Sequence, residues 1–404
     1  MIIRENYLKK IDPFIDKLII KVLTGLHRSG KSVLLEQIQD RLIMQGIVPS
    51  QIFTLNFESA KAMHIRDDQD LIHELQNQPF DRNKKVYIFL DEIQEVQNWE
   101  RAVNSLRVDF DSDIYITGSN SSLLSGELAT YLAGRYVEFQ IYPFSFLEFK
   151  QLLELTPLKL DKDAAFNLYI NLGGMPFLHH LDFDVEPSKQ YLKDLYASVV
   201  VKDIVSRHNI RDVDLLQRVI LFLMSNIGNP FSARSISAYL KNEYRAVAPE
   251  TVINYIKATV DACLFYPAKR QDLRGKRILQ IDEKYYLADH GIRQAVYGEN
   301  FRDIHLILEN IVFMELLRRG FDVTVGKVGE KEVDFVAEKA DKKFYVQVSY
   351  IMNDEATFNR EISPLLDIKD NYPKYIISMD PINRSTQGIK HMHILTFLLE
   401  TESL

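Results

Sequence analysis

The sequence predicts an α/β protein of several domains, and three observations carry that expectation. Residues 17–145 alternate short apolar segments (KLIIKVLTG, QIFTLNF, VYIFLDE, DIYITGS and YVEFQIYP) with helical patterns such as KSVLLEQIQDRLIMQG and WERAVNSLRVDF. The apolar segments are nearly continuous and rich in β-branched and aromatic residues, as parallel strands covered on both faces are. The glycine-containing run GLHRSGKS joins the first such strand to the first helix. A chain of 404 residues is also long for a single core. The pattern divides into an α/β core over 1–150, helices over 151–210, helices and a hairpin over 211–300, and mixed α/β over 301–404.

Composition sets the outer limits. Hydrophobic residues make up 46% of the chain and charged residues 26%, an ordinary globular balance. The net charge of −7 provides no global basic field for nucleic acid, although a local basic patch is compatible with it. Cys263 is the single cysteine, which excludes a disulfide framework and a cysteine-rich zinc site and points to a reducing, cytoplasmic compartment. The first residues, MIIRENYLKKIDPFIDKLIIK, are broken by charge and proline and do not read as a signal peptide. No apolar run approaches the ~20 residues that span a bilayer, so no membrane partner is expected.

Gly25 to Ser32 fits G-x-x-x-x-G-K-[ST]. Gly25 and Gly30 let backbone N–H groups of the Arg28 and Ser29 stretch turn inward around phosphate oxygens, and the helix running through Val33 adds the positive end of its dipole. Lys31 would reach the β- and γ-phosphates of ATP, and Ser32 would hold Mg²⁺. VYIFLDEIQ places Asp91 and Glu92 at the C-terminal end of a buried strand, the ligand-binding edge of a parallel sheet. Asp91 would assist in holding Mg²⁺, and Glu92 would orient and deprotonate the attacking water. The next strand ends in ITGSN, where Ser119 or Asn120 would sense the γ-phosphate. Arg135, opening a strand after Gly134, is either an arginine finger, in cis or offered to a neighbouring subunit, or a surface residue.

Together GLHRSGKS, FLDEIQ, ITGSN, LAGRYVEFQIYPFSFLEF and YINLGGMPF resemble the prokaryotic AAA-plus-type ATPases, specifically a branch with a C-terminal domain of unknown function. The resemblance implies a P-loop NTPase core with sheet order 5-1-4-3-2, followed by a helical lid. It implies a lid motif, here Gly174 and Pro176, that approaches the adenine of ATP or ADP. It also leaves an oligomer open. His27 departs from the family's arginine pair, whereas Arg28 keeps the second arginine.

Residues 213–298 resemble a winged helix. Asn254 and Lys257 lie on its third helix, and Lys269, Arg270, Arg274, Lys276 and Arg277 on its hairpin, a cluster suited to DNA phosphates. Binding of a protein partner through the same surface is the alternative. Residues 305–350 resemble, in the order of their elements, a PD-(D/E)xK nuclease-like fold, the restriction-endonuclease-like α/β domain, here expected in degenerate form. Glu309 and Asp334 match its acids, while Gln347 and Ser349 stand where the family carries Glu and Lys. Glu332 would add a carboxylate, and Lys331 or Lys343 would have to replace the lost cation. Three functional readings follow: an ATP hydrolase whose nucleotide state repositions these domains on or near DNA, an ATP-gated nuclease, and a non-hydrolysing module locked by nucleotide onto a protein partner.

Overall fold

A computed structural model describes residues 2–81, 83–120, 132, 134–242, 246–275, 277–298 and 300–400. The chain separates into two units, Met1–Pro143 with Asp261–Cys263, and Phe144–Val260 with Leu264–Leu404.

The first unit is built on five parallel strands, β1 (Ile20–Thr24), β2 (Ile52–Asn56), β3 (Val86–Asp91), β4 (Ser112–Gly118) and β5 (Tyr136–Gln140), in the order β2-β3-β4-β1-β5. This is the expected 5-1-4-3-2 sheet. The central strands β1, β3 and β4 are buried at every position, which is why their sequences lack polar alternation. Helix α1 (Glu5–Ile11) precedes the sheet. Helix α2 (Lys31–Met44) follows β1 and buries Leu34, Leu35, Ile38 and Leu42 at helical spacing. Helices α3 (Asp68–Gln76) and α4 (Trp99–Asp109) pack together, and Leu71, Leu75, Trp99, Val103 and Leu106 join the core with Ile88, Leu90 and Ile116. The Lys21 ammonium on β1 is fully buried and is paired with the carboxylate of Asp113 on β4.

The second unit begins with α5 (Phe146–Glu154), capped by the Ser145/Glu148 capping box, and α6 (Lys162–Leu172). Helix α7 (Val185–Ser198) continues into a π-helical segment, Val199–Ser206. Helices α8 (Val213–Ser225), α9 (Ala233–Asn242) and α10 (Pro249–Asp261) then lead into a hairpin of β6 (Phe265–Asp272) and β7 (Arg277–Leu287). Helix α11 (His290–Val296) packs on α6 and α7, and α12 (Ile304–Arg318) on β8 (Asp322–Val328), β9 (Lys331–Lys339) and β10 (Lys342–Val348). After α13 (Glu355–Leu366), β11 (Lys374–Ser378) and β12 (Ile389–His393) complete the sheet, and α14 (Ile394–Leu399) packs back on α5.

The expected partition of residues 151–404 into three domains is corrected here. The hairpin is not a free wing: β6 lies parallel to β8, with Arg270 opposite Val325 and Asp272 opposite Lys327, so the sheet runs β12-β11-β10-β9-β8-β6-β7. Backbone pairing of one expected domain with the next merges them into one unit. The first unit also closes at Pro143, a few residues before the expected 150. No helix among the described residues is long and apolar enough to cross a membrane.

Candidate functional site

The chain leaves β1 at Thr24 into the glycine loop. Gly25 has φ 146°, and a Cβ there would sit 2.1 Å from the carbonyl oxygen of Ile141, whose own N–H donates to Thr24 at 2.7 Å. Only glycine allows so close a crossing of two strand ends. The loop ends at Gly30, and α2 starts at Lys31. The Lys31 side chain is buried and folds back over the loop, donating to the carbonyls of Gly25 at 3.1 Å and Leu26 at 3.2 Å. Its Nζ lies 3.6 Å from Glu92 Oε1. Ser29 is fully buried, and its Oγ has no hydrogen-bond partner among the described residues. Arg28 adopts φ 65°, and Val33 is exposed on the first turn of α2. His27 stands 4.0 Å from Glu58.

From the other side, β3 delivers the acid pair. Asp91 Oδ1 accepts from Thr117 Oγ1 at 2.5 Å, and Asp91 Oδ2 from Asn56 Nδ2 at 2.7 Å. Thr117 Oγ1 also accepts the Glu92 N–H at 2.9 Å. One hydroxyl on β4 therefore ties both acids. Burial pushes the Asp91 carboxyl up, opposed by hydrogen bonds from Thr117 and Ser32 and by the Lys31 charge. Glu92 is buried in the left-handed conformation at φ 56°, and its Oε2 accepts from Gln94 at 2.6 Å. Ser119 and Asn120 are buried at the end of β4. The Ser32 hydroxyl and the Asp91 carboxylate, close enough to interact beside the lysine, are a hard-oxygen donor set of the kind Mg²⁺ takes.

Sequence reasoning missed three residues here. Thr117 and Asn56 belong to neighbouring strands, and their signal was strand register: Asn56 pairs with Asp91 on β3, and Leu90 with Ile116 on β4. Arg4 braces the loop from behind, donating to the carbonyls of Ser29 at 3.2 Å and Tyr142 at 2.9 Å. No local motif marks it.

The in-chain finger role of Arg135 is corrected. Arg135 is exposed, its carbonyl accepts the Ile20 N–H at 2.9 Å, and its side chain donates to Asn104 at 3.2 Å. It enters β5 beside the start of β1, whereas the glycine loop leaves from the far end of β1. Five strand residues, about 16 Å, lie between. Gly174 and Pro176 belong to the second unit. A Cβ on Gly174 would stand 2.1 Å from the Phe144 carbonyl oxygen, and the Gly174 N–H donates to Asp289 at 2.6 Å. Close packing within that unit thus accounts for this glycine, while Pro176 opens a 3-10 turn, Pro176–Leu181.

In the second unit, Asp334 on β9 and Gln347 on β10 do converge: the Asp334 N–H donates to Gln347 Oε1 at 3.3 Å, and Asp334 Oδ2 accepts the Val348 N–H at 2.8 Å. Glu309 on α12 accepts from Tyr286 at 2.6 Å. Ser349 is buried, and its N–H donates to the Ile377 carbonyl at 3.0 Å. Lys331 and Lys343 pair with Asp367 at 2.9 Å and Glu338 at 2.7 Å instead of replacing the lost cation, which corrects that expectation. The lysine that reaches the acids is Lys284 on β7, 2.7 Å from Glu332 and 3.2 Å from Glu309. Burial opposes its charge, yet Glu309, Asp334 and Glu332 outweigh that and push its pKa up. Its signal was strand alternation in DEKYYLAD, which puts Lys284 on the face of Tyr286.

Of the expected DNA contacts, Asn254, Lys257, Lys269 and Arg274 are exposed. Arg270 is corrected: its side chain turns inward to Glu332 at 3.4 Å and is 15% exposed. Lys276 and the Arg277 side chain lie outside the described residues.

Comparison with known proteins agrees with the first unit's geometry. A family model described as an AAA domain matches residues 18–150, and one for a domain of unknown function, DUF8612, matches residues 163–303. The chain is 42% identical over 402 residues to an uncharacterized protein of Haemophilus influenzae, covering 99% of each. It is 31% identical over 354 residues to an uncharacterized protein of Methanocaldococcus jannaschii, covering 85% of this chain and 77% of the relative. Among solved structures, Cdc6p of Pyrobaculum aerophilum matches with a TM-score of 0.32 at 12% identity, covering 77% of this chain and 94% of that one. AMPPCP-bound DnaA of Aquifex aeolicus matches with a TM-score of 0.33 at 16% identity, covering 64% and 89%. Structural likeness at that level decides nothing about this chain.

Proposed function

The chain belongs to the family that contains these Haemophilus and Methanocaldococcus proteins and carries an AAA domain, and we propose that it is a Mg²⁺-dependent ATP hydrolase. The observation that carries the reading is the meeting of Lys31, Ser32, Asp91 and Glu92 at one sheet edge, with Lys31 Nζ 3.6 Å from Glu92. Mg²⁺, when bound, would be held by Ser32 and Asp91 and would neutralise charge on the phosphates. Lys31 exchanges its loop carbonyls for β- and γ-phosphate oxygens, a charge-assisted contact stronger than the neutral ones it leaves. The loop N–H groups around Ser29 and the start of α2 hold the remaining phosphate charge. Glu92, held by Thr117 through its N–H and by Gln94 through its carboxylate, accepts the proton of the attacking water. Asn120 and Ser119 orient the γ-phosphate side.

Turnover, on this reading, changes the state of the second unit, whose exposed Asn254, Lys257, Lys269 and Arg274 contact DNA phosphates. The test is Glu92→Gln. The amide keeps the shape but cannot take a proton, so ATP should bind with affinity near wild type while turnover falls at least ~100-fold. Unchanged turnover in that variant removes Glu92 as the base. Tight binding with negligible turnover in the wild type would show a nucleotide-locked module instead.

A further inference from the structure

The sheet of the second unit encloses a group of charges that nucleotide chemistry does not use. Glu309 on α12, Glu332 and Asp334 on β9, and Lys284 on β7 lie together. Two strands and a helix, separated in sequence, had to come together to form it. The Lys284 side chain is 3% exposed, and its ammonium stands between Glu332 at 2.7 Å and Glu309 at 3.2 Å. Arg270, one strand over on β6, reaches Glu332 at 3.4 Å. Two cations from the hairpin thus face two of the three acids. The third, Asp334, spends Oδ2 on the Val348 N–H, and burial together with Glu309 pushes it toward the neutral acid.

Gln347 provides an independent observation. Its Oε1 accepts the Asp334 N–H at 3.3 Å, and its Nε2 donates to Glu361 Oε2 at 3.1 Å. A carboxylate at 347 would set a second acceptor against Glu361 Oε2 in place of the present donor. The amide fits because the surroundings demand one donor and one acceptor. A divalent ion asks the opposite of a site: several oxygens aimed at one point and negative charge left over for it. With Lys284 among them, no three His, Cys, Asp or Glu side chains of the described residues are placed to hold a metal ion.

We infer that Lys284 is a built-in cation standing among Glu309, Glu332 and Asp334 where a divalent ion would otherwise be held, so that this unit is metal-independent and the ammonium fastens the β6–β7 hairpin onto the sheet. Buried acids must be neutralised by something. An ammonium carried on β7 does so permanently and places the charge correctly only when the hairpin is docked. Removing it leaves three acids around a gap lined by oxygens, the donor type that hard divalent cations prefer.

The experiment uses the full chain without nucleotide, in an Asp91→Asn background that weakens metal binding at the glycine loop. Mn²⁺ is titrated, and free Mn²⁺ is followed by electron paramagnetic resonance. The background protein should show no Mn²⁺ binding that depends on Asp334. Adding Lys284→Ala should create a site at least tenfold tighter than any in the background protein, and Glu309→Gln should abolish it. Mn²⁺ should raise the melting temperature of the Lys284→Ala protein and not that of the background. Lys284→Met keeps the aliphatic stem, serves if the alanine variant does not fold, and should behave alike. The inference is overturned if the Lys284-containing protein binds Mn²⁺ through Asp334. It is equally overturned if the wild type cuts DNA with Mn²⁺ in an Asp334-dependent way, for then the lysine accompanies a metal instead of replacing it. Folded Lys284 variants that gain no site also overturn it.

Discussion

Thr117→Val removes a single hydroxyl and almost no volume. That hydroxyl donates to Asp91 at 2.5 Å and accepts the Glu92 N–H at 2.9 Å. Losing a hydrogen bond to a carboxylate costs about 1.5–3 kcal/mol, and leaving the Glu92 N–H unpaired in a buried site costs about 1–3 kcal/mol. The two losses share one atom and are not additive, so a total of about 2–4 kcal/mol is expected in urea unfolding. Glu92 holds a left-handed conformation at φ 56°, and the Thr117 contact is what pins its backbone. Releasing it should displace the base enough to lower kcat by ~100-fold. ATP affinity, set by Lys31 and the loop, should change little. The acid pair should report the loss as well. The Thr117 bond holds the Asp91 carboxyl down against burial, so the acidic limb of the pH–rate profile should move to higher pH in the variant. Steady-state ATP hydrolysis across pH, with fluorescent-nucleotide titration alongside, measures each of these. A folded Thr117→Val protein with kcat within threefold of wild type would refute the reasoning, because Asp91 and Glu92 would then be positioned without this hydroxyl.

Lys31→Ala should abolish nucleotide binding measurable by the same titration, since the loop keeps its N–H groups but loses the charge that reaches the phosphates. Gly174→Ala should destabilise the second unit by at least ~2 kcal/mol in denaturant unfolding, because its Cβ would lie 2.1 Å from the Phe144 carbonyl. Burial and Glu309 raise the Asp334 pKa above the ordinary carboxylate value. The folded state therefore binds the extra proton, and stability should fall as pH rises from the unfolded-state value of ~3.9 through the raised one. Asp334→Asn should flatten that slope in thermal unfolding followed across pH, and an unchanged slope would assign it to another group. Charge reversal by Lys269→Glu with Arg274→Glu should weaken DNA binding and lower its salt dependence in anisotropy titrations, and unchanged binding would remove the hairpin from any DNA contact.

The sequence by itself determined the first unit closely. Strands buried on both faces are apolar at nearly every position, and a phosphate loop needs glycines, a lysine and a hydroxyl in consecutive register. Both constraints act over a few residues and leave their record there, so GLHRSGKS and FLDE could be read without coordinates. The resemblance they support added the strand order. What the tertiary structure alone decided depends on groups joined across long separations. Thr117 and Asn56 meet Asp91 only through strand pairing. Arg4 braces the loop from the residue before α1, well ahead of it in the chain. Arg135 sits at the wrong end of β5 because a parallel register fixes which end of each strand faces the loop. Most of all, β6 pairing with β8 turned an expected wing into part of a seven-stranded sheet and carried Lys284 to Glu309 and Glu332. Against the nuclease-like pattern that the resemblance implied, local sequence has serine at 349 where a lysine was expected. Charge neutrality is a requirement of the volume in which the acids are buried, and any segment that reaches that volume can satisfy it.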